Sequence, residues 1–160
     1  MVTREGFDVI RGSGNQISAP LFGCTLANAQ ARAGAVDEAL ATVEWSLAAA
    51  KQTGQHFFDG ELKRVRGEFL LMRSHPDTGV AENCFRDSLA IARRQSAKAW
   101  ELRASMSLAR LLDRQGRRDE ARDMLGPIYG WFTEGFDTRD LREAKALLSE
   151  LNQRSRRTHA

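Results

Sequence analysis

The sequence predicts an all-α fold, a right-handed α-solenoid of about three helix hairpins followed by a C-terminal capping helix. Three observations predict this class. Apolar residues recur at helical spacing in patches that glycine-containing joints separate. No segment shows the alternating β-branched pattern of a strand. The sequence also repeats itself at an offset of 42 residues, the distance from Ser46 to Ser88.

The first hairpin is predicted over residues 17–54. Its first helix, 17–33, ends before Gly34, and its second helix, 36–53, ends before Gly54. Glycine adopts the left-handed conformation that commonly closes a helix, so both positions are suited to helix ends.

The second and third hairpins are predicted over residues 57–96 and 98–129. Their four helices are expected, in chain order, at residues 57–73, 80–96, 98–115 and 118–129. The turn between the first two contains Pro76, which disfavours helix in the residue before it. Pro127 is expected to bend or shorten the last of them.

The C-terminal part of the chain predicts a capping helix over residues 138–152. Apolar residues fall on one of its faces, at Leu141, Ala144, Leu148 and Leu151. A single apolar stripe is typical of a helix that covers the end of an array. The first segment, 1–16, and the basic tail, 153–160, are expected to be flexible, which leaves one helical repeat domain over 17–152.

The internal repeat is clearest in the second helices of the hairpins. At the offset of 42, four pairs of identical residues align: Ser46 with Ser88, Leu47 with Leu89, Ala48 with Ala90, and Ala50 with Ala92. Small residues recur where two helix backbones must approach closely, at Ala27, Gly67, Ala109, Ala39, Ala81 and Ala121. Each hairpin alone leaves an apolar face uncovered, so stacking of hairpins is expected to form the core.

The spacing of these small residues resembles the tetratricopeptide repeat (TPR). That family has a small residue, then glycine, then an alanine in the second helix. The first and third hairpins satisfy this pattern at Ala27, Gly34 and Ala39, and at Ala109, Gly116 and Ala121. The resemblance implies a non-catalytic domain that binds a protein or peptide.

A narrower resemblance covers most of the chain. Residues 62–71, 81–95, 108–122 and 127–148 are similar to the C-terminal TPR region of large bacterial signalling proteins, which join an adenylate or guanylate cyclase domain, or a DNA-binding domain, to a predicted ATPase. This resemblance implies a regulatory, protein-binding tail. The chain itself carries neither cyclase metal-binding aspartates nor a nucleotide-binding loop.

The composition argues against several other classes of function. The excess of Lys and Arg over Asp and Glu is three, 24 against 21, so a nucleic-acid partner is not expected. Two distant cysteines and three histidines offer no metal-ligand spacing, and neither a metal nor a cofactor is expected. The N-terminus is charged and no long apolar run follows, which predicts a cytoplasmic protein with no membrane segment.

No catalytic pattern stands out, and we expect no enzymatic activity. The Gly12-Ser-Gly14 stretch lacks the Lys-Ser or Lys-Thr ending of a phosphate loop. The paired carboxylates Asp119 and Glu120 lie near a predicted helix N-terminus, which they stabilise. The aromatic side chains are expected in the core and at the cap rather than on a stacking surface.

The predicted binding surface is the concave groove that first helices line in a TPR array. Transfer of the inward positions selects a set rich in arginine: Asn28, Arg32, Arg64, Glu68, Arg103, Met106, Arg110 and Arg114. Guanidinium groups bind carboxylates with two parallel hydrogen bonds, so the groove predicts an acidic segment or a C-terminal carboxylate as its ligand.

Three alternatives remain open from the sequence. The arginines could instead pair with neighbouring acids and bind nothing, the acids being Glu61, Glu68, Glu101 and Asp113. The domain could be a self-association module that forms a homodimer through an exposed apolar end. The weakest alternative is a helical enzyme with an unrecognised site.

Overall fold

The computed structural model describes the backbone of residues 19–158 and the side chains of residues 20–153. Within these limits the chain forms seven α-helices and one short 3-10 helix, with no strand. The helices are α1 (Ala19–Arg32), α2 (Val36–Thr53), α3 (Asp59–Met72), α4 (Thr78–Arg94), α5 (Lys98–Arg114), α6 (Arg118–Trp131) and α7 (Arg139–Thr158). The 3-10 helix, His56–Phe58, leads into α3. The all-α class is confirmed for the described residues.

The helix bounds agree with the predicted ones to within two residues, apart from one end. Helix α7 continues to Thr158, into the tail expected to be flexible. No glycine or proline follows Leu151, and the Gln and Arg residues of this stretch are good helix formers. The predicted flexible segment 1–16 and the last two residues lie outside the described part of the chain.

Helix α6 also extends beyond its predicted end at residue 129, although it contains Pro127. The chain stays helical through Pro127 to Trp131 and becomes extended at Phe132, where φ is −78° and ψ is 132°. Proline removes one backbone donor from a helix interior, and here the helix persists for one further turn. Pro127 therefore does not shorten the helix, and the alternative expectation, that it bends the helix, stays a prediction.

The chain divides into two compact units, one through Ser88 and one from Leu89, with the boundary inside α4. In unit one, α1 packs against α2 and α3, and α2 packs against α3. Its core is formed mainly by small and aliphatic side chains, with one aromatic ring: Cys24, Ala27, Ala31, Ala39, Val43, Leu62, Val65 and Phe69.

In unit two, α5 packs against α6 and α7, and α6 packs against α7. Helix α5 is the most enclosed helix of this unit, because ten of its residues are buried. Of the apolar stripe predicted for α7, Leu141, Ala144 and Leu151 are buried. Leu148 is only partly buried, and Leu147 takes the fourth buried position in its place.

Four of the six connections between the α-helices share one geometry. Gly34, Gly54 and Gly116 have φ values of 84°, 71° and 79°, and Ser96 has a φ of 54°. After each of them, the next backbone N–H donates to a carbonyl five residues earlier, as Ala35 does to Gln30 at 2.9 Å. The left-handed residue closes the preceding helix and reverses the chain.

Candidate protein-binding surface

The predicted site residues of unit two lie along α5. Arg103, Arg110 and Arg114 are seven and four residues apart, so their side chains leave one face of the helix. A rise of about 1.5 Å per residue spaces them by roughly 10 Å and 6 Å. Arg103 and Arg110 are partly exposed and Arg114 is exposed, whereas most of α5 is buried. The open face of this helix is therefore rich in arginine.

Met106 differs from the other predicted site residues of α5. Its side chain is 3% exposed and belongs to the core. It lies between Arg103 and Arg110 in sequence, but it projects to the side of the helix that neighbouring elements cover. Met106 is therefore too buried to contact a partner, and its prediction as a binding residue is wrong.

Carboxylates of α7 meet two of these arginines. Arg103 Nε donates to Asp140 Oδ2 at 2.6 Å, and Arg110 Nη2 donates to Glu143 Oε2 at 3.1 Å. The other oxygen of Glu143 accepts a hydrogen bond of 2.7 Å from Arg139 Nε. Hydrogen bonding from Arg139 lowers the pKa of Glu143, burial opposes this effect, and Arg110 adds to it, so the pKa lies below its ordinary value.

The predicted site residues of α3 form an intrahelical cluster. Arg64 donates from Nε and Nη2 to the two oxygens of Glu61, at 2.9 and 2.7 Å, and Arg64 Nη1 lies 3.5 Å from Glu68 Oε1. Burial lowers the pKa of Arg64, but the bonds to Glu61 outweigh it and the pKa is raised. Arg64 therefore pairs with neighbouring acids, as the alternative interpretation predicted for it.

The two predicted site residues of α1 are both exposed. The Asn28 side-chain amide donates to the Cys24 carbonyl oxygen, one turn earlier, at 2.8 Å. Arg32 forms no ion pair with another described residue, and the same holds for Arg114 at the end of α5. Arg32 and Arg114 occupy equivalent places, each two residues before a left-handed glycine.

Sequence reasoning missed the acids that meet Arg103 and Arg110. It proposed Glu101 and Asp113, which are near in sequence. Glu101 instead accepts from Arg93 at 3.0 Å and Lys98 at 2.8 Å, and Asp113 accepts from Arg118 at 2.8 Å. The true partners are more than thirty residues away, and only the packing of α7 on α5 brings them close.

Three aromatic side chains are not where the sequence placed them. Phe57, Trp131 and Phe136 are 62%, 57% and 46% exposed, so the expectation of core packing is wrong for them. Edge-to-face contacts with Phe58, Phe132 and Tyr129 hold their rings at the surface.

The described residues contain no group of three or more His, Cys, Asp or Glu side chains placed to hold a metal ion. Cys24 and Cys84 are both buried as free thiols. None of the helices in the described part of the chain combines the length and apolarity needed to cross a membrane.

Fold and surface together define an all-helical protein whose distinctive side chains are arginines on α1 and α5. A comparison of the sequence with protein-family models finds no match. A comparison with curated proteins also finds none.

Proposed function

We propose that this chain is a non-catalytic, protein-binding domain, a TPR-like right-handed α-solenoid that holds an acidic peptide segment along its first helices. One observation carries the functional part of the proposal. Arg103, Arg110 and Arg114 lie on the open face of a helix that is otherwise largely buried. A guanidinium group at such a place is well suited to a carboxylate ligand.

The turn geometry supports the repeat architecture. Gly34 and Gly116 each separate the two helices of a hairpin, and both have a left-handed conformation. Gly54 and Ser96 each follow the second helix of a hairpin, and they are separated by the repeat offset of 42 residues. Equivalent backbone conformations at equivalent positions are expected when one hairpin unit is repeated.

The sequence resemblance to the tails of bacterial cyclase and ATPase signalling proteins suggests the setting. There the domain would regulate a signalling protein by binding a segment of that protein or of another. This regulatory role rests on the sequence resemblance alone. It can be tested once a peptide ligand of the domain has been identified.

The test uses a display library of random peptides with free C-termini, selected against the purified chain. We expect the selected peptides to be rich in Asp and Glu. The test variant is Arg32→Glu with Arg114→Glu, because these two exposed arginines have no ion pair among the described residues. Arg64, Arg103 and Arg110 are left unchanged, since reversing their charge would leave a neighbouring carboxylate without its partner.

A matched control is available on the second helices. Lys51 and Arg94 are also exposed basic residues in the last turn of a helix, so Lys51→Glu with Arg94→Glu changes the net charge equally. We expect the test variant to lose at least tenfold in affinity, about 1.4 kcal/mol, and the control to lose far less. Equal losses, or a selection without acidic preference, would refute the proposed ligand.

A second candidate function is self-association, which one observation favours. Leu21 and Phe22 are adjacent on α1 and are 46% and 39% exposed. Light scattering at high micromolar concentration distinguishes the candidates. A dimer that Leu21→Ser with Phe22→Ser converts to a monomer supports self-association, and a wild-type monomer excludes it.

A further inference from the structure

Two carboxylates of unit two occupy the places in which a ligand carboxylate would meet α5. Asp140 Oδ2 lies 2.6 Å from Arg103 Nε, and Glu143 Oε2 lies 3.1 Å from Arg110 Nη2. We propose that Asp140 and Glu143 are built-in competitors that restrain the binding of an acidic segment at the arginines of α5. The inference rests on the proposed function and concerns the regulation of that same surface.

Helix α7 does not depend on these ion pairs for its position. Leu141, Ala144, Leu147 and Leu151 are at most 7% exposed and hold the helix in the core of unit two. The two acids lie on a neighbouring face of the same helix. Their carboxylates are therefore presented to α5 whether or not an ion pair forms, and a ligand can displace them without moving the helix.

The exposure of the paired side chains permits this exchange. Arg103 and Asp140 are 42% and 29% exposed, and Arg110 and Glu143 are 39% and 37% exposed. Ion pairs that water reaches contribute little to stability. A guanidinium at this depth can turn from the internal carboxylate to a ligand carboxylate and remain charge-paired in both states, so the cost falls on the carboxylate that it leaves.

The two competitors are not equivalent. Glu143 also accepts a hydrogen bond from Arg139, which is 85% exposed, so its charge stays paired when Arg110 turns away. Among the described residues, Asp140 forms its ion pair with Arg103 alone. Release of Arg103 breaks the salt bridge of Asp140, which then faces the incoming carboxylates with only the electrostatic interaction with Arg139 still in place among the described residues. Asp140 is therefore the stronger competitor.

The experiment measures binding of a fluorescein-labelled octaglutamate peptide by anisotropy at low ionic strength. The variant Asp140→Asn with Glu143→Gln keeps the size of both side chains and removes both charges. We expect its affinity to rise by about three- to thirtyfold over wild type, the range for two partly exposed ion pairs that no longer compete. Asp140→Asn alone is expected to give more of the rise than Glu143→Gln alone.

The matched control is Asp119→Asn with Asp123→Asn. These two acids lie on α6 of the same unit, are each 74% exposed and pair with Arg122. The control changes the net charge by the same amount, away from α5. The inference is supported if peptide affinity rises in the test variant but not in the control, and if this rise disappears at high salt.

Two results would overturn the inference. One is an equal rise in peptide affinity in the test and control variants, which would reflect net charge alone, and the other is no rise in affinity in the test variant. If the double variant does not fold, Asp140→Asn alone decides, because it carries the larger expected effect. The proposed function fails separately, when Arg32→Glu with Arg114→Glu leaves the binding of selected peptides unchanged.

Discussion

The ring of Phe85 lies where a side chain at position 67 would stand. A Cβ built on Gly67 would come within 2.5 Å of Phe85 Cε1 and 2.8 Å of Cδ1. Both residues belong to unit one, and Phe85 is fully buried. Glycine at this point of α3 is therefore required by a close approach of α4, and not by an unusual backbone conformation.

Gly67→Ala is expected to destabilise the protein by about 1–3 kcal/mol, because a buried ring must shift to admit one methyl group. Urea unfolding gives the free energy change. Phe85→Leu in the same chain should relieve the clash, so the double variant should lose at least about 0.5 kcal/mol less than the sum of the single losses.

Gly130→Ala is the matched control for this prediction. Gly130 lies in the last turn of α6, and a Cβ built there meets no atom within 4 Å. Alanine is a better helix former than glycine by up to about 1 kcal/mol, so this variant should be neutral or more stable. Additive losses at positions 67 and 85 would contradict the close contact.

Ser96 is a second position at which a single substitution is expected to change the stability of the protein in a definite direction. Its φ of 54° lies in the left-handed region, which costs a residue with a side chain about 1–2 kcal/mol. Ser96→Gly should raise the free energy of unfolding by up to about 1 kcal/mol. The gain is smaller than the strain that is removed, because glycine also gives the unfolded chain more conformational freedom.

The reciprocal exchange, Gly54→Ser, is the control. Gly54 has a φ of 71° at the equivalent turn, and nothing lies within 4 Å of a Cβ built there. Gly54→Ser should therefore introduce backbone strain without a steric clash, and we expect its free energy of unfolding to fall by about 1 kcal/mol. Thermal unfolding of both variants checks the pair, and a loss of stability in Ser96→Gly would contradict the expected strain.

Glu101 is expected to make stability depend on pH. Its side chain is 7% exposed. Burial raises the pKa of its carboxyl, but hydrogen bonds from Lys98 and Arg93 outweigh burial, and the net pKa lies below its ordinary value. The stabilisation is therefore complete above the unfolded-state pKa of about 4.3 and is lost as the pH falls through the lower folded-state pKa.

Glu101→Gln should cost about 1–2 kcal/mol at neutral pH, because a buried acceptor of two charged hydrogen bonds is lost while both donors stay accessible to water. The difference between wild type and variant should shrink below a pH of about 4. Urea titrations at neutral and acidic pH measure it. A difference that does not change with pH would show that ionisation of Glu101 has no part in stability.

Much of the fold could be predicted from local signals. Glycine at positions 34, 54 and 116 ends a helix because it adopts the left-handed conformation without strain, and these turns lie where the sequence placed them. Small residues such as Ala39 and Ala109 indicated close helix packing, and both are fully buried. These features depend on residues near one another in the chain.

The candidate site was less accessible to sequence reasoning. Its arginines could be named from the repeat, and Arg64 does pair with its intrahelical neighbours. The partners of Arg103 and Arg110 could not be named, because nothing in the sequence states which face of α7 approaches α5. The burial of Met106 and the exposure of Trp131 have the same cause, since each depends on which elements cover that face of its helix.

The sequence by itself determined the all-α class, the glycine turns and the helix bounds except the end of α7, because backbone preference and hydrophobic spacing act over a few residues. Only the tertiary structure decided which arginines keep an exposed, unpaired charge. Arg32 and Arg114 do so among the described residues, while α7 brings carboxylates to Arg103 and Arg110. Charge pairing between helices depends on distances in space, and the chain order does not encode those distances locally.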